Sequence, residues 1–130
     1  MSTQPAPRPA PVVLAAAVDA ALVILFAALG RSEHAREATL PGLAGTAWPF
    51  LAGLAVMWIA ALVWRRPFAV LRSGVPLWLG SVAIGMLLRA LTGGGIALPF
   101  VIVATAVLGA FLLGWRAIVA ISARVRRRRA

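Results

Sequence analysis

Three acidic residues, one histidine and thirteen arginines are all that this 130-residue sequence offers for ionic chemistry. Cysteine, lysine, tyrosine and asparagine are absent, which excludes disulfides, thiolate metal sites and cysteine nucleophiles. The most polar stretch is LGRSEHAREATLPGL, from Leu29 to Leu43, and it holds Arg31, Glu33, His34 and Glu37. His34 with Glu33 and Glu37 could approach a metal, but one nitrogen and two flexible carboxylates make a poor zinc site. No metal or other cofactor is expected. His34 could also titrate between about pH 5 and 8 and act as a sensor. The simpler reading is a solvated hairpin loop whose charges keep it out of the apolar stretches on either side.

Asp19 is the only acid inside an apolar segment. A carboxylate near the centre of a bilayer costs roughly 2.5–3.5 kcal/mol, so such a residue is a functional candidate. Ser81 and Arg89 are its expected companions, Ser81 at nearly the same depth and Arg89 about 10 Å nearer the far surface. Arg89 shares a helix face with Ser81 and Gly85, since residues four apart align. That face is expected to turn into the bundle, with a snorkelling interfacial arginine as the alternative. No Ser-His-Asp set, nucleotide loop, metalloprotease helix or catalytic carboxylate pair is present. Enzyme activity is therefore not expected.

The elements that must position these residues follow from composition. Hydrophobic residues make up 62% and charged residues 12% of the chain, against about 45–50% and about 25% in soluble domains. One small core cannot hide that much apolar surface, so the remainder must face lipid. Four apolar spans are predicted, at about Val12–Gly30, Ala47–Trp64, Val75–Leu91 and Ile96–Trp115. At about 1.5 Å per residue each crosses a hydrocarbon layer of roughly 30 Å. A strand has no way to satisfy its backbone in lipid short of a closed barrel, and the pattern does not alternate. The expected fold is all-α, an integral membrane four-helix bundle. Thr46 is the expected cap of the second span, with Pro49 in its first turn. Trp48, Trp64, Trp78 and Trp115 fall near predicted membrane surfaces, and only Trp58 lies mid-span.

A net charge of +10 would suggest nucleic acid in a soluble protein. Here the arginines cluster at span ends, which instead sets orientation, and no nucleic-acid partner is expected. Arg8, Arg65, Arg66, Arg72, Arg124 and Arg126 to Arg129 collect on one side, against Arg31 and Arg36 on the other. Both termini are thus expected in the cytoplasm of a bacterial cell, with a multi-pass chain in its plasma (inner) membrane. Residues 1–11 form a cytoplasmic tail, 12–116 the four-span domain and 117–130 an arginine-rich cytoplasmic tail. Arg126, Arg127, Arg128 and Arg129 are expected to contact anionic lipid. The first span contains Asp19 and lacks a small-x-small site after it, so signal-peptide cleavage is not expected.

AWPFLAGLAVMWIAALVWRR from Ala47 echoes ALPFVIVATAVLGAFLLGWR from Ala97. Two readings stand open: a pair of parallel-repeat helical hairpins, or the common habit of helices to begin at Pro and end at Trp-Arg. In order along the chain, GRSEH, TAWPFLAGLAV, WRRP, GMLLR, PFVIVAT and LLGWR resemble a family of small prokaryotic membrane proteins. That family is catalogued as a domain of unknown function, number three thousand and fifty-four. The resemblance covers roughly Asp19 to Arg116 and implies a four-helix integral membrane protein; it brings no activity, substrate or cofactor with it. It also implies glycine at the place of Met57, whose side chain would widen that helix contact. The function expected is a non-catalytic membrane component, with membrane lipids and either a second copy or another membrane protein as partners. The alternative is a small transporter or channel with Asp19 and Arg89 lining a polar path.

Overall fold

The computed structural model describes residues 9–33 and 39–129, which form four helices. They are α1 (Pro9–Glu33), α2 (Leu40–Ala60), α3 (Val75–Leu91) and α4 (Leu98–Arg129). Among the described residues there is no strand. All four, the third taken with the helical turn before it (Val70–Leu91), are long and apolar enough to cross a membrane, and only 22–28% of each apolar window is buried within the bundle. The outward faces carry Val13, Leu14, Ile59, Leu79, Leu87 and Ile102, all exposed. In water such a belt would be a severe liability; in lipid it is the solvated surface.

Consecutive helices run antiparallel. Phe26 late in α1, Phe50 in mid α2 and Phe100 at the start of α4 meet with ring centroids 5.3–6.2 Å apart. Asp19, Trp58 and Arg116 meet at the other level. One end therefore holds both termini of the helical bundle and the 61–74 connection, and is called the arginine-rich end below. Val23, Phe26, Phe50, Leu54, Leu77, Ala104, Leu108 and Leu112 fill the core between the two levels.

Helices α2 and α3 approach most closely, because glycines leave holes for large neighbours. A Cβ on Gly85 would overlap the Phe50 ring, and one on Gly80 would overlap Met57. A Cβ on Gly53 would stand 3.1 Å from the Ser81 backbone. Without a hydrophobic drive between helices in lipid, such close packing is what holds them together. Met57 therefore needs no widening of the contact, since Gly80 opposite accommodates it.

The start of α2 differs from the sequence expectation. Thr39, not Thr46, is the cap: its hydroxyl accepts from the Gly42 N–H at 3.1 Å, and Pro41 sits in the first turn. Thr46 instead donates its hydroxyl to the Gly42 carbonyl, and Pro49 lies inside the helix. The Pro-Gly pair at 41–42 reads as a turn, but a threonine cap followed by proline is also a strong helix start. The helix accepts Pro49 at the loss of one backbone bond, to the carbonyl four residues earlier. The earlier start also breaks the internal echo, for Pro49 stands tenth in α2 while Pro99 stands second in α4. The echoed Trp64-Arg65 lies in a 3-10 turn, Trp115-Arg116 in mid-helix.

At the other extreme, α4 continues without a break through the arginine tail. Its 32 residues span about 48 Å, some 18 Å more than the hydrocarbon core needs.

Candidate functional site

The arginine-rich end is closed by a buried ionic cluster. Asp19 in α1 and Arg116 in α4 are both fully buried. Arg116 donates Nη1 to Oδ1 at 2.8 Å and Nη2 to Oδ2 at 2.7 Å, a fork-on-fork pairing. Trp58 Nε1 donates to Oδ2 at 3.0 Å and Trp115 Nε1 to Oδ1 at 2.9 Å. Each carboxylate oxygen thus accepts two bonds, an arrangement suited to an acceptor-only, ionised group. Arg116 directs two of its three remaining N–H donors to the backbone, Nε to the Pro67 carbonyl at 2.9 Å and Nη1 to the Leu112 carbonyl at 3.1 Å.

Every participant owes its place to local structure. Side chains on a helix lean towards its N-terminus, so an arginine at the end of the apolar part of α4 points back along the bundle. The Leu112 carbonyl one turn earlier meets it there. The Pro67 carbonyl is offered by a folded connection. Leu62 adopts a left-handed conformation, φ 54° and ψ 46°, which ends α2 and starts the 3-10 turn Val63–Arg65. Ser73, in the π-helical turn Val70–Gly74, donates to the Arg66 carbonyl at 2.6 Å. Gly74 leaves room for Leu113 beside the Arg116 stem, for an added Cβ would stand 2.7 Å from Leu113 Cδ2. Phe68 sets its ring edge-on to Trp115 at 5.7 Å. The cluster therefore ties α1, α2, α4 and the 61–74 connection at one point.

Asp19 does not meet the partners expected for it. Ser81 is fully buried against α2, and its hydroxyl has no hydrogen-bond partner among the described residues. Arg89 closes the opposite end: Nε and Nη2 donate to the Gly95 carbonyl at 3.1 and 3.0 Å. Its guanidinium also lies 4.3 Å above the Phe100 ring. Phe100 and Arg116 are separated by about 24 Å along α4, so Asp19 and Arg89 stand at opposite ends of the bundle. The physical reason is turn chemistry. Gly93 takes φ +82° and lets the chain double back so that Gly95 reaches Arg89.

The outer-loop cluster is a separate matter. His34 and Glu37 lie outside the described residues, as do the side chains of Arg31 and Glu33. Arg126 to Arg129 are exposed on the last turn of α4, in reach of whatever surrounds that end. Trp78 turns inward from its expected surface position and donates to the Thr105 carbonyl at 2.7 Å, lying on Gly109. Arg116, Trp58 and Trp115 are the site residues that sequence reasoning missed. The available signal was Asp19 itself, an acid in a span that demands a cation at matching depth.

A bundle of four apolar helices locked by a buried Asp–Arg pair defines an integral membrane protein. Residues 16–119 match the family described as Protein of unknown function (DUF3054), and the chain belongs to that family. Both halves of the ion pair fall within the matched stretch. Comparison with curated proteins and with solved structures gives no match.

Proposed function

We propose that this chain is a non-catalytic component of a bacterial plasma membrane, acting by association with a second copy or with another membrane protein. Both termini and the 61–74 connection face the cytoplasm, where the positive-inside rule puts their arginines. The observation that carries this reading is the closed state of the ionic cluster. Asp19 and Arg116 direct their charged groups at each other, at two tryptophan N–H groups and at backbone carbonyls. A group bonded in this way is engaged in holding helices together, which supports a structural role for it.

A surface for association exists on α4. Thr105, Ala106, Gly109, Ala110 and Gly114 line an open apolar groove of about 690 Å³ with Trp78 and Val70 at its side. Small residues let a second helix backbone approach closely, which is how helices pair in lipid.

The test is co-purification of the tagged chain in native lipid discs. A second copy or one stoichiometric neighbour is the expected result. Recovery as a lone chain that passes ions or solutes in liposomes, with flux abolished by Asp19→Asn and assembly unchanged, would refute it. A reporter fused after Ala130 should read cytoplasmic.

A further inference from the structure

We propose that the 61–74 connection forms a binding site for one phosphate group, presented by an anionic lipid headgroup or by a soluble phosphate compound. The site is a concave pocket of about 330 Å³ bounded by Ala61, Leu62, Arg65, Arg66, Arg72 and Ser73. Its volume is at the lower end of the roughly 300–1,000 Å³ typical of small-ligand sites.

Three arginines converge on it for reasons of backbone geometry. The left-handed Leu62 and the 3-10 turn that follows set Arg65 and Arg66 on one wall. The π-helical turn sets Arg72 on the other, and the Ser73–Arg66 hydrogen bond holds the two turns together. No carboxylate lines the pocket. Asp19, the one acid whose side chain is described, is saturated by Arg116 and the two tryptophans. Three arginines thus line one concavity, with no carboxylate among the described residues that line it.

Like charges so placed repel, and an anion among them reverses the sign of the interaction. Guanidinium groups match phosphate oxygens with paired, parallel N–H donors, so phosphate is the anion that this donor set suits best. The position also fits. The pocket lies between the last residue of α2 and the first of α3, where two of the apolar segments are joined, and lipid headgroups border such a junction. Trp64 and Leu71 beside it are exposed apolar residues on the same two turns, suited to the surrounding lipid.

The experiment uses the full chain in detergent micelles, with retained lipid counted by native mass spectrometry. Phosphatidylglycerol and phosphatidylcholine are titrated separately. One phosphatidylglycerol per chain should be retained in preference to phosphatidylcholine. The triple change Arg65→Gln, Arg66→Gln, Arg72→Gln should weaken that binding about a hundredfold, at about fivefold for each arginine. The single change Arg72→Gln gives about fivefold alone, and serves if the triple variant does not fold. The matched control removes the same charge from the tail with Arg127→Gln, Arg128→Gln and Arg129→Gln; there the first phosphatidylglycerol should still be retained in preference to phosphatidylcholine, while loosely held additional lipid is lost. Inorganic phosphate separates the sources. If it displaces the bound lipid, the occupant is a soluble phosphate compound; if the lipid stays, the occupant is a headgroup. Loss of the selectively retained first phosphatidylglycerol in the tail variant as in the pocket variant, or no preference for phosphatidylglycerol with no phosphate bound, would overturn the proposal.

Discussion

Replacing Asp19 by Asn leaves the side-chain shape nearly unchanged and removes the charge that Arg116 faces. Six hydrogen bonds now hold the cluster, two of them across the ion pair. The Arg116 guanidinium, fully buried, would keep its backbone carbonyls but lose its counter-charge. Breaking one side of a buried pair costs about 3–5 kcal/mol in soluble proteins, and an uncompensated charge in a span costs roughly 2.5–3.5 kcal/mol. A loss of about 3 kcal/mol is therefore expected, or about two powers of ten in the folding equilibrium. Arg116→Met should cost a similar amount by orphaning the carboxylate. The double variant Asp19→Leu, Arg116→Met removes both charges and fills their space, and should be more stable than either single variant. Reversible unfolding in mixed micelles, followed by tryptophan fluorescence, measures these variants, and the single variant Asp19→Leu supplies the fourth corner of the cycle. A single-variant loss below about 1 kcal/mol, or a double variant as unstable as the two losses added, would show that the pair does not hold the bundle.

The same assay checks the rest. Trp58→Phe keeps an aromatic ring and deprives Asp19 Oδ2 of one donor, for a loss of about 1–3 kcal/mol that should shrink in the Asp19→Leu, Arg116→Met background. Gly85→Ala drives a methyl group into Phe50, which Phe26 and Phe100 prevent from moving aside; about 1–3 kcal/mol should be lost and partly recovered by adding Phe50→Leu. Gly93→Ala forces a side chain into φ +82° and should cost about 1–2 kcal/mol. Gly45→Ala, in the interior of α2 with nothing within 4 Å of the new methyl group, should instead gain up to about 1 kcal/mol.

Hydropathy made the four spans legible, because lipid imposes a length and a polarity on every crossing. The end of α3 at Leu91 was legible for the same reason, with Gly93 just beyond it. Helix starts were less so. The Leu40-Pro41-Gly42 run carries turn residues, and only the neighbouring Thr39 cap reveals that the helix begins there. Asp19 stood out as a residue in need of a partner, but its partner did not. Trp115-Arg116 carries the sequence marks of a membrane exit, and what turns the arginine inward is helix geometry together with a carbonyl from a connection that folds back. Neither Pro67 nor Leu112 contributes a side chain to that choice, so no residue type announces it. Arg89 misled for the opposite reason: its helix face pointed to the bundle, while a three-glycine turn brought a closer acceptor.

The partners in the ionic cluster are 97 residues apart in the chain. At about 5–20 residues per second, the carboxylate of a newly inserted α1 waits roughly 5 to 20 s for its arginine to be made. Throughout that interval the first hairpin holds a carboxyl group inside the bilayer without its arginine. The nascent protein must therefore either stay beside the insertion machinery or hold that acid protonated until the fourth helix arrives. Completion of synthesis, and not entry of the first helices, is then the step that commits this chain to its native state.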